Sequence, residues 1–459
     1  MPRSPRRFTV RAAAHLLSCL CALAVLPAFA AGRPVLLVSI DGLRPQDVLQ
    51  PPPGAPPLSQ LRALAREGAY AEGVVGVLPT LTYPSHVTLM TGTAPRTHGI
   101  GGNLTFDPYN KNQQGWAWYT ADIRVPTLWQ AAHAAGLRTA NVHWPVSVAA
   151  PGMDANLPQI WRTGTDDDRK LLAALATPGL LPALEAETGI PYPQGIDESL
   201  EADTQRARFA LALIRRERPQ FMTVYFAALD HEEHLHGAGS AQAWQALQRL
   251  DAVVGELRKA WRQAHPDGVL ALVSDHGFTD VAHDVNLYAP FLSAGLITLQ
   301  DGQVKDWQAM PWNQGGSAAI VLRDPADAAL RAKVEGLLRS LQADPTLGIA
   351  AVLDHDAVAA KGGSERAEWF VVFAPGYEMA ARPDAPLVGP PQRHGMHGYD
   401  PARPDQRASF FLAGPGIAAG QDLGVIDMRA IAPTLASQLG VALPTAEVAP
   451  LPLHLPSSR

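Results

Sequence analysis

The hydrophobic positions of this chain fall into two patterns. Residues 35–40 (VLLVSI), 221–228 (FMTVYFAA) and 269–274 (VLALVS) are short apolar runs without polar alternation, as expected of strands covered on both faces. Between them, at 128–135, 200–216 and 243–262, apolar residues return every three or four positions. In the last of these, Trp244, Leu247, Leu250, Val254, Leu257 and Trp261 share one helical face. Strands and helices in alternation predict an α/β fold, with a largely parallel central sheet flanked by helices. The stretch 279–390 is expected to form a small α/β cap subdomain inserted in a domain that covers 31–459. It holds a predicted strand at 317–322, a helix at 327–341 and a strand at 369–373. Residues 147–199, rich in glycine, proline and acids, are expected to be loop at the mouth of a pocket.

One stretch fits neither pattern. Residues 79–86 (PTLTYPSH) crowd hydroxyls, a tyrosine, two prolines and a histidine between apolar segments. Pro84 suits the first position of a helix through Met90, with Gly92 as its stop. Thr82 is then expected just outside a helix N-terminus, where free N–H groups and the helix dipole favour an anion. A hydroxyl there could act as a nucleophile if a neighbouring group takes its proton, or could simply cap the helix.

In parallel sheets, sites form beyond the carboxyl ends of the strands. All three apolar runs lead there into an aspartate: Asp41, Asp230 and Asp275. One such aspartate would pass for a turn or cap; three, two of them with histidine nearby, point to chemistry. Asp230 and His234 stand four apart, on one face of a helical turn. Asp275 is followed by His276, and His397 lies in a glycine-bracketed loop (HGMHGYD, 394–400). Aspartate and histidine together suit zinc. His231, Glu232 and His236 crowd the same turn as Asp230, whereas His86 and His98 are expected to be structural. The trio Asp354, His355 and Asp356 is read as solvated loop.

Charge and cysteine content narrow the picture. Both cysteines, Cys19 and Cys21, fall within residues 1–30. There Arg3, Arg6 and Arg7 precede an apolar run and Ala28-Phe29-Ala30, the pattern of a cleaved export signal. A processed chain then has no thiolate, so a metal would be held by Asp, Glu and His. A formal charge of −6 and 47% hydrophobic residues argue against disorder and against a nucleic-acid-binding surface. No membrane span is expected after the signal, which places the protein in the periplasm or outside the cell.

Taken in order, Ser39-Ile-Asp-Gly-Leu-Arg44, Thr82-Tyr-Pro-Ser-His86, His98-Gly-Ile-Gly-Gly-Asn103, Asp230 with His234, Ser274-Asp-His-Gly277 and Gly395-Met-His-Gly-Tyr-Asp400 resemble the alkaline phosphatase superfamily. Within it they resemble the nucleotide pyrophosphatase/phosphodiesterase family. The resemblance implies an alkaline-phosphatase-like fold and two zinc ions, one on Asp230, His234 and His397, the other on Asp41, Asp275 and His276. It further implies Thr82 as nucleophile through a phosphothreonine, Asn103 as donor to a phosphate oxygen, and Tyr83 and Tyr225 as walls of the leaving-group pocket. Its substrates would be nucleotide-like phosphodiesters or pyrophosphates. Leu229 and Glu233 depart from the proline and glycine usual around the Asp-x-x-x-His element, and Ser85 stands for the commoner asparagine. A phosphomonoesterase or phosphonate hydrolase on the same two metals is the alternative, and a phosphoethanolamine-type transferase a more distant one.

Overall fold

The computed structural model describes Met1, residues 32–113 and residues 115–454. The expected export signal therefore lies, from its second residue on, outside the described residues. At the centre is an eight-stranded sheet. Its order is Gln421–Asp422, Ala69–Tyr70, Phe410–Ala413, Val269–Val273, Val35–Ile40, Phe221–Phe226, Thr139–Val142 and Ala155–Leu157. The five strands from 269–273 to 155–157 run parallel, and 410–413 joins them antiparallel.

Each apolar run serves two cores at once. Leu36, Val38 and Ile40 face one way, with Met222, Val224, Leu270 and Leu272, onto helices Leu200–Glu217 and Ala241–Ala264. Val35 and Leu37 face the other way, with Phe221, Val269 and Ala271, onto helices Leu128–Ala134 and Ile431–Leu439. A strand buried on both sides cannot alternate polar and apolar residues, so the uninterrupted runs follow from the layers. Local signals start the helices: Ser199 and Ser240 accept from the third N–H beyond them, and Thr127 with Gln130 forms a reciprocal capping box.

Register decides where the chemistry goes. Ser39 pairs with Tyr225 on one side and Val273 on the other, so the three strands end level. Asp41, the turn after Phe226 and Asp275 thus emerge at one edge. A second sheet of four antiparallel strands, Ala309–Asn313, Ser317–Leu322, Trp369–Phe373 and Ile349–Asp354, packs with helix Ala328–Gln342 around its own core. A small ribbon carries His397 in: Gly395 and Met396 pair with Asp280 and Thr279, and the Gly398 N–H donates to the Thr80 carbonyl at 2.9 Å. Gly398 has φ +87°, and a Cβ there would stand 1.9 Å from the Gln314 carbonyl oxygen, so only glycine fits.

Three expectations need correction. The helix expected to start at Pro84 spans Thr82–Thr91, which puts Thr82 inside its first turn rather than ahead of it. Proline is tolerated there because first-turn N–H groups have no intrahelical partner. Residues 147–199 are not loop throughout: they contain strand 155–157 and helices Asp167–Leu175 and Leu180–Thr188. Asp354 is no loose loop residue either, since it ends a strand and caps helix His355–Ala360 by accepting from the Ala357 N–H.

One buried ion pair fixes the helix that bears Asp230. Asp203 and Arg206 are both fully buried and 2.9 Å apart, and the second Asp203 oxygen accepts from the Ala228 N–H, at the start of helix Ala228–His236. Arg206→Leu strands the Asp203 carboxylate in the core. It is expected to cost about 3–5 kcal/mol, read as a lower midpoint in thermal or urea denaturation.

Candidate active site at the edge of the sheet

Of the threonines in or beside the buried helix Thr82–Thr91, four are separated by their partners. Thr80 donates to the Tyr399 carbonyl and Gln406, Thr88 to the Thr93 carbonyl, and Thr91 to the Val87 carbonyl. The Thr82 hydroxyl instead sits 3.5 Å from His276 Nε2, the atom that lies beside Asp41 and Asp275. The next N–H of that helix, on Tyr83, donates to Asn103 Oδ1 at 2.8 Å. An N–H can face only the amide oxygen, so the NH₂ of Asn103 is the end left for a ligand.

The aspartates and histidines meet in two groups. In one, His276 Nε2 lies 3.3 Å from Asp41 Oδ1 and 3.2 Å from Asp275 Oδ2. In the other, Asp230 stands between His234 at 3.4 Å and His397 at 3.6 Å, through Nε2 in both cases. Within each group the donor atoms lie within 4.8 Å of one another. The groups adjoin, because the His276 and His397 rings stack with centroids 3.6 Å apart.

Protonation is settled by the backbone. His276, His234 and His397 each turn Nδ1 to a carbonyl, of Gly277, Gly395 and Thr80 respectively. A carbonyl only accepts, so Nδ1 carries the proton and the Nε2 lone pair faces the carboxylates. Burial lowers the pKa of all three, that of His397 to about 3, so they stay neutral. Burial first, then the charge of neighbouring carboxylates, pushes Asp41 and Asp230 well up; burial lifts Asp275 to about 7. Asp41 Oδ1, Asp230 Oδ1 and Asp275 Oδ2 are buried without a hydrogen-bond partner among the described residues. Neutral imidazoles with ready lone pairs, beside carboxylate oxygens that nothing satisfies, fit two divalent cations.

Other expected residues take quieter places. His86 is structural, donating from Nδ1 to the Thr82 carbonyl and accepting from Ser39 at Nε2. His98 accepts from the Ile100 N–H and bonds Thr88. Tyr83 is fully buried, with its hydroxyl donating to Gln159 and its ring in a T-shaped contact with Trp116. It therefore forms no open wall. Tyr225 is also buried, and donates to Asp41. Two groups escaped notice in the sequence. Glu198, near His231, is the strongest charge acting on Asp230, and Arg393 acts on Asp230, His234 and His397. Neither has a spacing that marks it, since both arrive from separate loops.

Comparison with known proteins bears on the same residues. Positions 35–400 match the family model for type I phosphodiesterase/nucleotide pyrophosphatase. Human ectonucleotide pyrophosphatase/phosphodiesterase family member 1 is 25% identical over 84% of this chain and 38% of its own length. The chain spans 25% of the length of rat family member 3. Mouse family member 7 is 25% identical over 93% of this chain and 89% of its own. Among solved structures, murine ectonucleotide pyrophosphatase/phosphodiesterase 5 superposes with a TM-score of 0.63 at 18% identity, over 90% of this chain and 96% of that one. An inactive form of that protein in complex with AMP gives 0.62 at 19%, with the same coverage. At such identities the likeness concerns the fold, which is the alkaline-phosphatase-like one.

Zinc added to chelator-treated protein is expected to raise its melting temperature, with about 2.7 kcal/mol gained at 100 times Kd. Asp275→Asn should do two things in the same thermal scans. It raises the melting temperature of the metal-free protein, by removing a buried charge, and it shrinks the shift produced by zinc.

Proposed function

From the premise that the chain belongs to the type I phosphodiesterase/nucleotide pyrophosphatase family, we propose that it hydrolyses phosphodiester or pyrophosphate bonds in nucleotide-like substrates and releases a nucleoside monophosphate. The observation that carries this reading is the Thr82 hydroxyl, 3.5 Å from His276, in the first turn of a helix, while the Thr80 carbonyl just before that helix accepts from His397 of the other group. The AMP held by the related murine protein supports a nucleotide as substrate.

Asp41, Asp275 and His276 would hold one zinc ion, and Asp230, His234 and His397 the other. When bound, the two ions offset the charge of the phosphodiester and make the alkoxide of a neighbouring hydroxyl accessible near neutral pH. The chain's own groups then divide the work. Thr82 Oγ1 attacks phosphorus, the bond to the leaving oxygen breaks, and a phosphothreonine forms. Asn103, its amide oriented by the Tyr83 N–H, donates to a non-bridging oxygen, and the helix N-terminus faces the same charge. Water then forms the new bond to phosphorus as the bond to Thr82 breaks, and the proton returns to the hydroxyl. His86 holds the Thr82 carbonyl at 2.7 Å and so fixes the turn on which the nucleophile stands.

One observation favours the phosphomonoesterase alternative. Arg393 is exposed beside the Asp230 group and could meet the additional charge of a monoester. Export is part of the proposal, in keeping with the ectonucleotide names of the relatives. Among the described residues no helix is long and apolar enough to cross a membrane.

Thr82→Ala is expected to lower kcat/KM by about 10³-fold or more. Acid quenching of wild-type turnover should yield a Thr82-containing peptide heavier by one phosphoryl group in mass spectrometry; activity that survives the substitution rules the mechanism out. A nitrophenyl ester of thymidine monophosphate should turn over faster than nitrophenyl phosphate. The reverse order selects the monoesterase.

A further inference from the structure

The family resemblance implies a place for Tyr225 in the wall of the leaving-group pocket, but the structure gives its hydroxyl another partner. It donates to Asp41 Oδ2 at 2.5 Å. Parallel register sets Tyr225 opposite Ser39, two residues before Asp41, so its side chain reaches the end of the neighbouring strand. The ring is 3% exposed, with His86 edge-on at 5.0 Å and His143 at 5.8 Å. His86 is bonded at both nitrogens, so the phenol sits against a fixed neighbour. The other Asp41 oxygen, Oδ1, is buried without a hydrogen-bond partner and lies 3.3 Å from His276 Nε2.

We propose that Tyr225 is a positioning residue that selects the cation at Asp41, Asp275 and His276: by occupying Oδ2 it leaves that carboxylate a single free oxygen. This inference rests on reading the group as a cation site, and adds what decides which ion it prefers. Zinc takes four ligands from nitrogen and oxygen donors, and one carboxylate oxygen suffices for it. Calcium gathers six to eight oxygens and often uses both oxygens of a carboxylate. A hydrogen bond that ties up one oxygen therefore disfavours the larger ion and orients the ligand for the smaller. Partners of this kind typically change metal affinity 10- to 100-fold when removed.

Tyr225→Phe deletes that one oxygen atom. Chelator-treated wild type and variant would be titrated by calorimetry with zinc and, separately, calcium, with metal-free melting temperatures recorded alongside. The expected result is a zinc Kd about tenfold weaker or more at one of two sites, and a smaller ratio between calcium and zinc Kd values. Tyr225→Gln, which restores an N–H donor, should recover part of both. In the Phe variant, kcat/KM at saturating zinc should fall less than zinc affinity does. An unchanged zinc Kd and ratio overturns the proposal, and with a raised KM it returns Tyr225 to the substrate wall. A Phe variant that fails to fold without metal also overturns it, by assigning the hydroxyl to the core. Wild-type protein that binds neither ion instead refutes the cation reading, whatever Tyr225 does.

Discussion

Three carboxylates buried side by side at one sheet edge are the constraint on which this structure turns. Asp41, Asp230 and Asp275 are gathered where burial opposes ionisation, and for Asp41 and Asp230 the charge of neighbouring carboxylates opposes it further. In such surroundings an ion pair with lysine or arginine would be the usual remedy. Neutral histidines are supplied instead, each with its proton committed to a carbonyl and its lone pair turned inward. Fixed donors reach two of the carboxylates: Tyr225 donates to Asp41, and the Gly42 and His276 N–H groups donate to Asp275 at 3.2 and 3.1 Å. A fold that tolerates this arrangement gives up stability in the metal-free state, and recovers it when positive charge arrives.

The rest of the molecule serves to hold these groups in place. Parallel pairing ends three strands level, which is why Asp41 and Asp275 lie side by side although 234 residues of sequence separate them. The Asp203–Arg206 pair seats the first turn of the helix that bears Asp230 and His234. His397 belongs to neither strand ends nor helix. It is brought in by a ribbon whose Gly398 lies hard against the Gln314 backbone, so the second sheet and the central one are joined at the site itself. Thr82 stands on a helix buried along its whole length, with His86 and Ser39 holding its first turn.

Much of this could be read from the chain without coordinates, because the signals are local. Uninterrupted apolar runs follow from burial on both faces, and an aspartate beyond such a run falls at the ligand edge of a parallel sheet. Asp230 and His234 share a helical face by spacing alone. Errors arose where one residue type suits two positions. Proline is acceptable anywhere in a first turn, so Pro84 could not say that the helix begins at Thr82. Glycine, proline and acids in 147–199 suggested loop, but Leu172, Leu180, Leu181 and Leu184 bury themselves in the main core and draw two helices onto it.

Sequence by itself determined the strands, the aspartates and histidines that gather beyond them, and that Thr82, among its neighbouring threonines, precedes a Tyr-Pro turn. These depend on periodicity and on chemistry carried within a few residues. Only the tertiary structure decided what each buried polar atom touches. Tyr83, at a helix start, and Tyr225, in a strand, are both buried tyrosines, yet one donates to Gln159 and the other to the Asp41 carboxylate. That difference comes from strand register and from helices far apart in sequence, which no local pattern encodes.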